Sequence, residues 1–427
     1  MSRTKLLIEP YTYYSLTEKR LLFYNTFSGD ALCTTKKECI MFFKKVKDRS
    51  IEFSSLSGDI NDFIFALKDK YMISLFNSVS KIPGLDYNTE IVVNDLKKLK
   101  KQDSIRLEGY IRTINLFLTT KCAFNCNYCT NANYQFLCCY KNEKNDDMQW
   151  DDLELIIQQI PLSTKINILG GDILRYPEIL KVLEYINTKD YNDIAIFLNA
   201  NTFDENNIKT IQAVAERVKT NILISPDNIS FIKKYSRQFN YPNVYFSALI
   251  TEEQEYNAMV QNMPESLLKN CSFHPYYTSE NELFFEQNVF LEEEDIFDQK
   301  QSTLDIERKK LLNINHFGKL SILPDGNVHT ILKRSQIGNI LEESLHSIVE
   351  KELLNKGSWF ETRKEYLPCN LCSYNELCPS PSGLENLIGK YNLCFYNPYQ
   401  AKWQGEEGYI TVEEWREQQI AAENKPD

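Results

Sequence analysis

The chain lacks a long apolar run: nowhere in its 427 residues does a stretch approach the roughly 20 residues a membrane helix requires. Its first residues, Met1-Ser2-Arg3-Thr4-Lys5, lack the apolar core of a secretory signal. A cytoplasmic protein with no membrane partner is therefore expected. A basic excess is missing too. The 48 Lys and Arg face 59 Asp and Glu, a net charge of -11, which argues against a nucleic-acid partner. Disulfides are rare in a reducing compartment, so the 12 cysteines read as metal ligands, the more so because seven of them fall in two tight groups. At this length two or three domains are expected.

The first group is Cys122-Ala-Phe-Asn-Cys126-Asn-Tyr128-Cys129, just after the apolar run from Ile114 to Leu118. Three thiolates on one short loop can hold three irons of a 4Fe-4S cubane and leave the fourth iron open to a chelating ligand. The plainer alternatives are a zinc site or buried thiols, although structural zinc usually draws on Cys-x-x-Cys pairs and four ligands. Cys-x-x-x-Cys-x-x-Cys with an aromatic before the last Cys is the signature of radical S-adenosylmethionine (SAM) enzymes, and the chain resembles that superfamily.

From residue 111 to about 280, strand-like runs alternate with amphipathic helical ones. Six strands are expected, at Ile114 to Thr119, Lys165 to Leu169, Ile194 to Leu198, Asn221 to Ser225, Val244 to Ile250 and Ser272 to Tyr277. The alternation implies an α/β fold with a parallel sheet, and six repeats suit a partial (β/α)6 barrel with its site at the strand C-terminal ends. The resemblance implies the same plan. Gly170-Gly171-Asp172, after the second strand, is similar to the Gly-Gly-Glu motif that contacts the SAM amino group, with glycine letting backbone approach ligand. By the same resemblance Asn199, Asn201, Ser225 and Asp227 are cofactor-binding candidates, each equally readable as a cap or loop residue. Tyr128 is expected close to cluster and adenine, or else in the core. Cys271 is a candidate hydrogen-atom donor, against the commoner buried thiol.

Residues 6 to 34 read as two or three short strands, with turns at Thr17-Glu18-Lys19 and Ser28-Gly29-Asp30. Two helical patterns follow, Ile40 through Val46 and, after Ser57-Gly58-Asp59, Ile60 through Ile73. Residues 1–80 thus resemble a winged-helix, PqqD-like module that captures the leader of a ribosomally made precursor peptide as an added strand. The alternative is a structural cap on the barrel. Residues 81–110, with the basic run Lys97 to Lys101, read as a connector.

Residues 111–300 form the expected barrel, 301–400 a cysteine module and 401–427 a tail. Gly318 to His329 reads as a hairpin around Asp325-Gly326. Gly338-Asn339-Ile340, a helix through Leu345 and Ile348, and Cys369-x-x-Cys372-x5-Cys378 with distal Cys394 follow. This order resembles the SPASM extension of peptide-modifying radical SAM enzymes. A full SPASM module binds two auxiliary clusters, but the regions that would supply one set of ligands here hold Asn315-His316-Phe317, Thr330-Ile331 and Ser382. Cys369, Cys372, Cys378 and Cys394 remain as a set for one auxiliary 4Fe-4S cluster, with a zinc ribbon as the alternative.

The resemblance implies a radical SAM maturase acting on a precursor peptide with a leader, with SAM, two clusters and an external electron donor of flavodoxin or ferredoxin type. Modification of a folded protein, as in anaerobic sulfatase-maturating relatives, is a second reading. A third is a non-catalytic partner that only carries a peptide. The N-terminal module is expected to be dispensable for SAM cleavage.

Overall fold

The computed structural model describes residues 4–76, 106–142, 146–191, 193–203, 207–225, 228, 234–235 and 242–423. Most of the 81–110 connector, its lysine run and Asp227 lie outside them.

The N-terminal part contains β1 (Thr4–Ile8), β2 (Thr12–Leu16), β3 (Leu21–Asn25), β4 (Ala31–Thr34), α1 (Lys37–Phe43), β5 (Ser50–Phe53), α2 (Gly58–Asp69) and β6 (Ile73–Phe76). They build two three-stranded antiparallel sheets, β5-β1-β6 and β2-β3-β4. Both expected turns are present: Thr17 N–H donates to the Arg20 carbonyl, and Gly29 takes φ +86°. The helical stretch stops earlier than its periodicity suggests. Tyr71 adopts φ +56° and Ile73 passes into β6, because pairing with Ile8 buries it as a strand residue.

The central part runs β7 (Thr113–Thr119), α3 (Cys129–Gln135), α4 (Trp150–Gln159), β8 (Lys165–Gly170), α5 (Ile179–Asn187), β9 (Ile194–Asn199), α6 (Ile208–Arg217), β10 (Lys219–Ile224), β11 (Val244–Ile250), α7 (Glu253–Asn262), α8 (Glu265–Leu268) and β12 (Cys271–Pro275). All six expected strands are present, each parallel to its neighbours. Beyond them the chain forms α9 (Glu282–Val289), α10 (Glu293–Asp298), α11 (Thr303–Leu311), β13 (Lys319–Ile322), β14 (Asn327–His329), β15 (Gly338–Asn339), α12 (Leu345–Asn355), α13 (Gly383–Ile388), β16 (Tyr396–Asn397), β17 (Lys402–Trp403) and α14 (Val412–Glu423).

The hairpin β13-β14 joins the barrel sheet. β13 lies parallel to β7, with Leu320 opposite Ile114, which makes one open nine-stranded sheet in the order β12-β11-β10-β9-β8-β7-β13-β14-β15. Its strands do not close into a barrel. One face carries Ile114, Leu116, Ile166, Ile168, Leu320 and Ile322 against the apolar stripes of α4, α5 and α12. The stripe of α5 is Ile179, Val182, Leu183 and Ile186, the spacing that puts one helix face on a sheet. The other face changes character along the strands, from Thr113, Asn115 and Lys165 to an apolar layer of Phe117, Leu169 and Leu323.

β3 is buried on both faces. Leu21 and Phe23 pack into the N-terminal core with Ile40, Phe43 and Leu67. Leu22 and Tyr24 enter a different core with Ile296, Ile306, Cys372, Tyr374, Cys378 and Trp403. Alternation of side chains across a strand places one sheet between two cores. Among the described residues no helix is long and apolar enough to cross a membrane.

Candidate metal centres

The loop from Thr120 to Tyr128 leaves β7 and ends on α3. Two glycines hold it down. A Cβ on Gly171 would stand 2.4 Å from the Lys121 carbonyl oxygen and 3.0 Å from Cys122 Cβ, and one on Gly170 would meet Thr119 Cγ2 at 2.8 Å. Gly171 N–H donates to Thr119 O (2.8 Å) and Asp172 N–H to Lys121 O (2.7 Å). The glycines therefore let the cysteine loop lie close against the end of β8. The Asp172 carboxylate is buried and accepts from Arg175 Nε at 3.0 Å.

The strand ends converge on the loop thiols. Asn201 Nδ2 donates to Cys126 Sγ at 3.4 Å, and Asn228 Nδ2 donates to Asn201 Oδ1 at 3.2 Å. Asn228 Oδ1 in turn accepts from Ser225 N at 2.9 Å, while the buried Ser225 Oγ has no hydrogen-bond partner among the described residues. Asn199 Nδ2 donates to the Tyr128 hydroxyl at 2.7 Å, and the Tyr128 carbonyl accepts from Tyr276 at 2.9 Å. Asn199, Asn201, Ser225 and Tyr128 are thus brought to one place. Burial pushes the Cys122 thiol up to about 11 and raises that of Cys129.

Asn228 and Cys139 belong to this place and were missed in the sequence. Asn199 Nδ2 lies 3.9 Å from Cys139 Sγ, and the Cys139 charge acts on Cys122, Cys129 and Tyr128. A hydrogen bond from Cys138 holds the Cys139 thiol below its ordinary range. The pairing of Tyr140 N–H with Gly170 O, at 3.1 Å, brings this segment beside β8, a long-range contact with no local signal.

Cys271 is not part of the site. It is the first residue of β12, at the end opposite the cysteine loop, about 13 Å of strand away, and its thiol packs against the outer core. Burial pushes it up to about 12.

The second cysteine group lies under the N-terminal sheet. Cys369, Cys372 and Cys378 are buried and Cys394 half-buried. Burial raises all four thiols, Cys378 to about 11 and Cys394 to about 12, and the charges of Cys369, Cys378 and Cys394 all act on Cys372. Arg363 Nη1 approaches Cys369 Sγ at 3.7 Å while Nη2 binds Glu385 at 2.8 Å, and Lys309 adds charge near Cys378. A buried arginine and a half-buried lysine beside four thiols suit a donor set that turns anionic on binding metal.

Among the described residues no three His, Cys, Asp or Glu side chains converge closely enough for a single metal ion. Four sulfurs on one zinc would stand roughly 3.8 Å apart, given Zn–S of about 2.3 Å. The ligands of a cubane stand wider because each binds a different iron. The donor sets fit clusters on charge and chemistry.

No family model and no curated protein matches the sequence. Among solved structures, SuiB of Streptococcus suis bound to precursor peptide SuiA is similar at 15% identity and TM-score 0.43, over 91% of this chain and 98% of that one. The protein anSMEcpe with bound AdoMet is similar at 14% and TM-score 0.43, over 63% of this chain and 84% of that one. Likeness this loose bears on neither chemistry nor partner, which rest on the residues above.

Proposed function

We propose that the chain is a radical SAM peptide maturase. Cys122, Cys126 and Cys129 would hold a 4Fe-4S cluster with one open iron. SAM would lie against Gly170, Gly171, Asp172, Asn199, Asn201, Ser225 and Tyr128. Cys369, Cys372, Cys378 and Cys394 would hold one auxiliary 4Fe-4S cluster with no open iron, suited to electron transfer or support of the fold. The observation that carries this reading is the seating of the three-cysteine loop on Gly170-Gly171-Asp172 with Asn201 donating to Cys126.

When bound, cluster and SAM would supply reductive radical chemistry able to remove hydrogen from an unactivated carbon. The chain's own residues do the rest. Asn201 places a donor on a ligand sulfur and favours its thiolate. Asn199 fixes the Tyr128 ring, Ser225 presents a buried hydroxyl, and the layer of Phe117, Leu169 and Leu323 keeps water from reaching the loop through the sheet face. Electrons would come from an external flavodoxin- or ferredoxin-type donor.

The substrate would be a precursor peptide whose leader adds as a strand to the N-terminal module. The edge strands of its two three-stranded sheets, each paired on one side only among the described residues, support this, and tethering would raise the local concentration of the core segment. Anaerobically reconstituted protein is expected to carry about eight irons and eight sulfides, four per cubane, and to release 5′-deoxyadenosine with dithionite and SAM. Full iron loading without that product would overturn the reading.

A further inference from the structure

A half-open chamber of about 520 Å³ lies on the inner face of the sheet, one layer below the apolar shelf of Phe117 and Leu169. It brings together Asn315, Thr330 and Ser382, from the three stretches where the sequence departs from the two-cluster pattern. No thiol lines it. The floor is a polar ladder across three strands: Asn167 Nδ2 donates to Asn115 Oδ1 at 2.9 Å, and Asn115 Nδ2 donates to Ser321 Oγ at 3.2 Å.

Two features of the chamber ask for a ligand. Asn167 is 4% exposed and its Oδ1 has no hydrogen-bond partner. A buried amide oxygen left unpaired forfeits the hydrogen bond it made to water in the unfolded chain, so a donor N–H that reaches it is favoured. Lys319 lines the chamber too, and among the described residues it has no acidic partner. The register sets Lys319 and Lys165 on either side of Thr113, roughly 10 Å apart at two strand spacings. Lys165 is already paired with Asp193 at 2.9 Å, so among the described lining residues Lys319 is the lysine available to an anion. Phe136, Leu137 and Phe197 supply apolar wall.

We propose that this chamber is a peptide subsite that takes an acidic residue, its carboxylate on Lys319 and its backbone N–H on Asn167 Oδ1. Two residues of strand per layer put the Asn115 level about 13 Å below Thr119 and the cysteine loop, so the subsite anchors peptide away from the reacting end. Its role as a substrate subsite rests on the maturase reading above. Binding of an acidic residue there does not.

The test uses the full chain, reconstituted and without SAM, and follows N-acetyl-aspartyl-amide by ligand-observed NMR. Millimolar binding is expected, at least 10-fold weaker for N-acetyl-asparaginyl-amide and for acetate. Lys319→Gln is expected to weaken the aspartyl probe at least 10-fold. Asn167→Leu should do the same, and Lys319, at the chamber mouth, keeps the test open if the buried variant misfolds. Equal binding by the wild type and Lys319→Gln, or no binding at all, would overturn the subsite. Acetate binding as tightly as the aspartyl probe would overturn its assignment to peptide. SAM cleavage by the same wild-type preparation reports the maturase reading separately.

Discussion

Arg20, in the turn between β2 and β3, donates to Glu293 at 3.1 Å and to the Ala401 carbonyl at 3.1 Å, with its guanidinium 5.3 Å from the Tyr374 ring centre. Tyr374 lies between Cys372 and Cys378, so this buried arginine ties the first sheet to the second cysteine group. Tyr24 adds a hydroxyl that accepts from Gln301 N–H at 2.8 Å.

Deleting residues 1–80 is therefore expected to remove part of the wall of the second cysteine group, by taking Leu22 and Tyr24 out of its core. The truncated chain should hold about four irons or precipitate, measured by iron and sulfide analysis. Retention of about eight would show the module dispensable for both clusters, and SAM cleavage by the truncated chain would meet the expectation from sequence. Arg20→Ala should destabilise the full chain by roughly 1–2 kcal/mol, read from denaturant midpoints, because the buried Ala401 carbonyl loses its donor and the half-exposed Glu293 its cation.

Alanine at Cys122, Cys126 and Cys129 together should cost about four irons per chain and abolish SAM cleavage, since four-thiolate sites leave no open iron. The second cluster should stay, visible as residual absorbance and iron.

Gly171→Ala tests the seating of the loop without touching a thiol. The added methyl would meet the Lys121 carbonyl at 2.4 Å, a distance that backbone must move to relieve. Circular dichroism should be unchanged while SAM cleavage falls by about 100-fold, the scale expected when reacting groups shift by about 1 Å. Wild-type turnover in this variant would show that the glycine is incidental.

Asn201→Leu removes a donor from Cys126 Sγ. Hydrogen bonds to ligand sulfur stabilise the more negative, reduced cluster, so the potential should fall by on the order of 50 mV, about 1 kcal/mol for one electron. An EPR-monitored redox titration reads the shift.

His316 gives a pH signature. Burial, with Lys319 and Arg334 nearby and only Glu361 opposing, pushes its imidazole down to about 4. A histidine depressed in the folded state binds its proton more readily when unfolded. The stability it carries is complete above pH ~6.5 and lost as pH falls toward 4, up to ~3 kcal/mol. Urea midpoints at pH 7.5 and 5 should differ more in the wild type than in His316→Gln.

Local rules in the sequence determined a good deal. Alternating strand and helix patterns placed all six central strands, because period and burial are set by neighbours in the chain. Cysteine spacing marked both candidate ligand groups, and Asp325-Gly326 marked a hairpin whose glycine takes φ +80°. What the hairpin pairs with was decided only in three dimensions. Whether β13 stands alone or lies beside β7 depends on registry between segments some 200 residues apart, which no local period encodes. The same holds for β3: its unbroken run Leu21-Leu22-Phe23-Tyr24 shows that both faces are buried but not which cores receive them. Asn228 and Cys139 were illegible for that reason, since each reaches its place through contacts distant in sequence. Asn167 looked like one more strand residue until folding buried it in the chamber floor with its carbonyl oxygen unanswered.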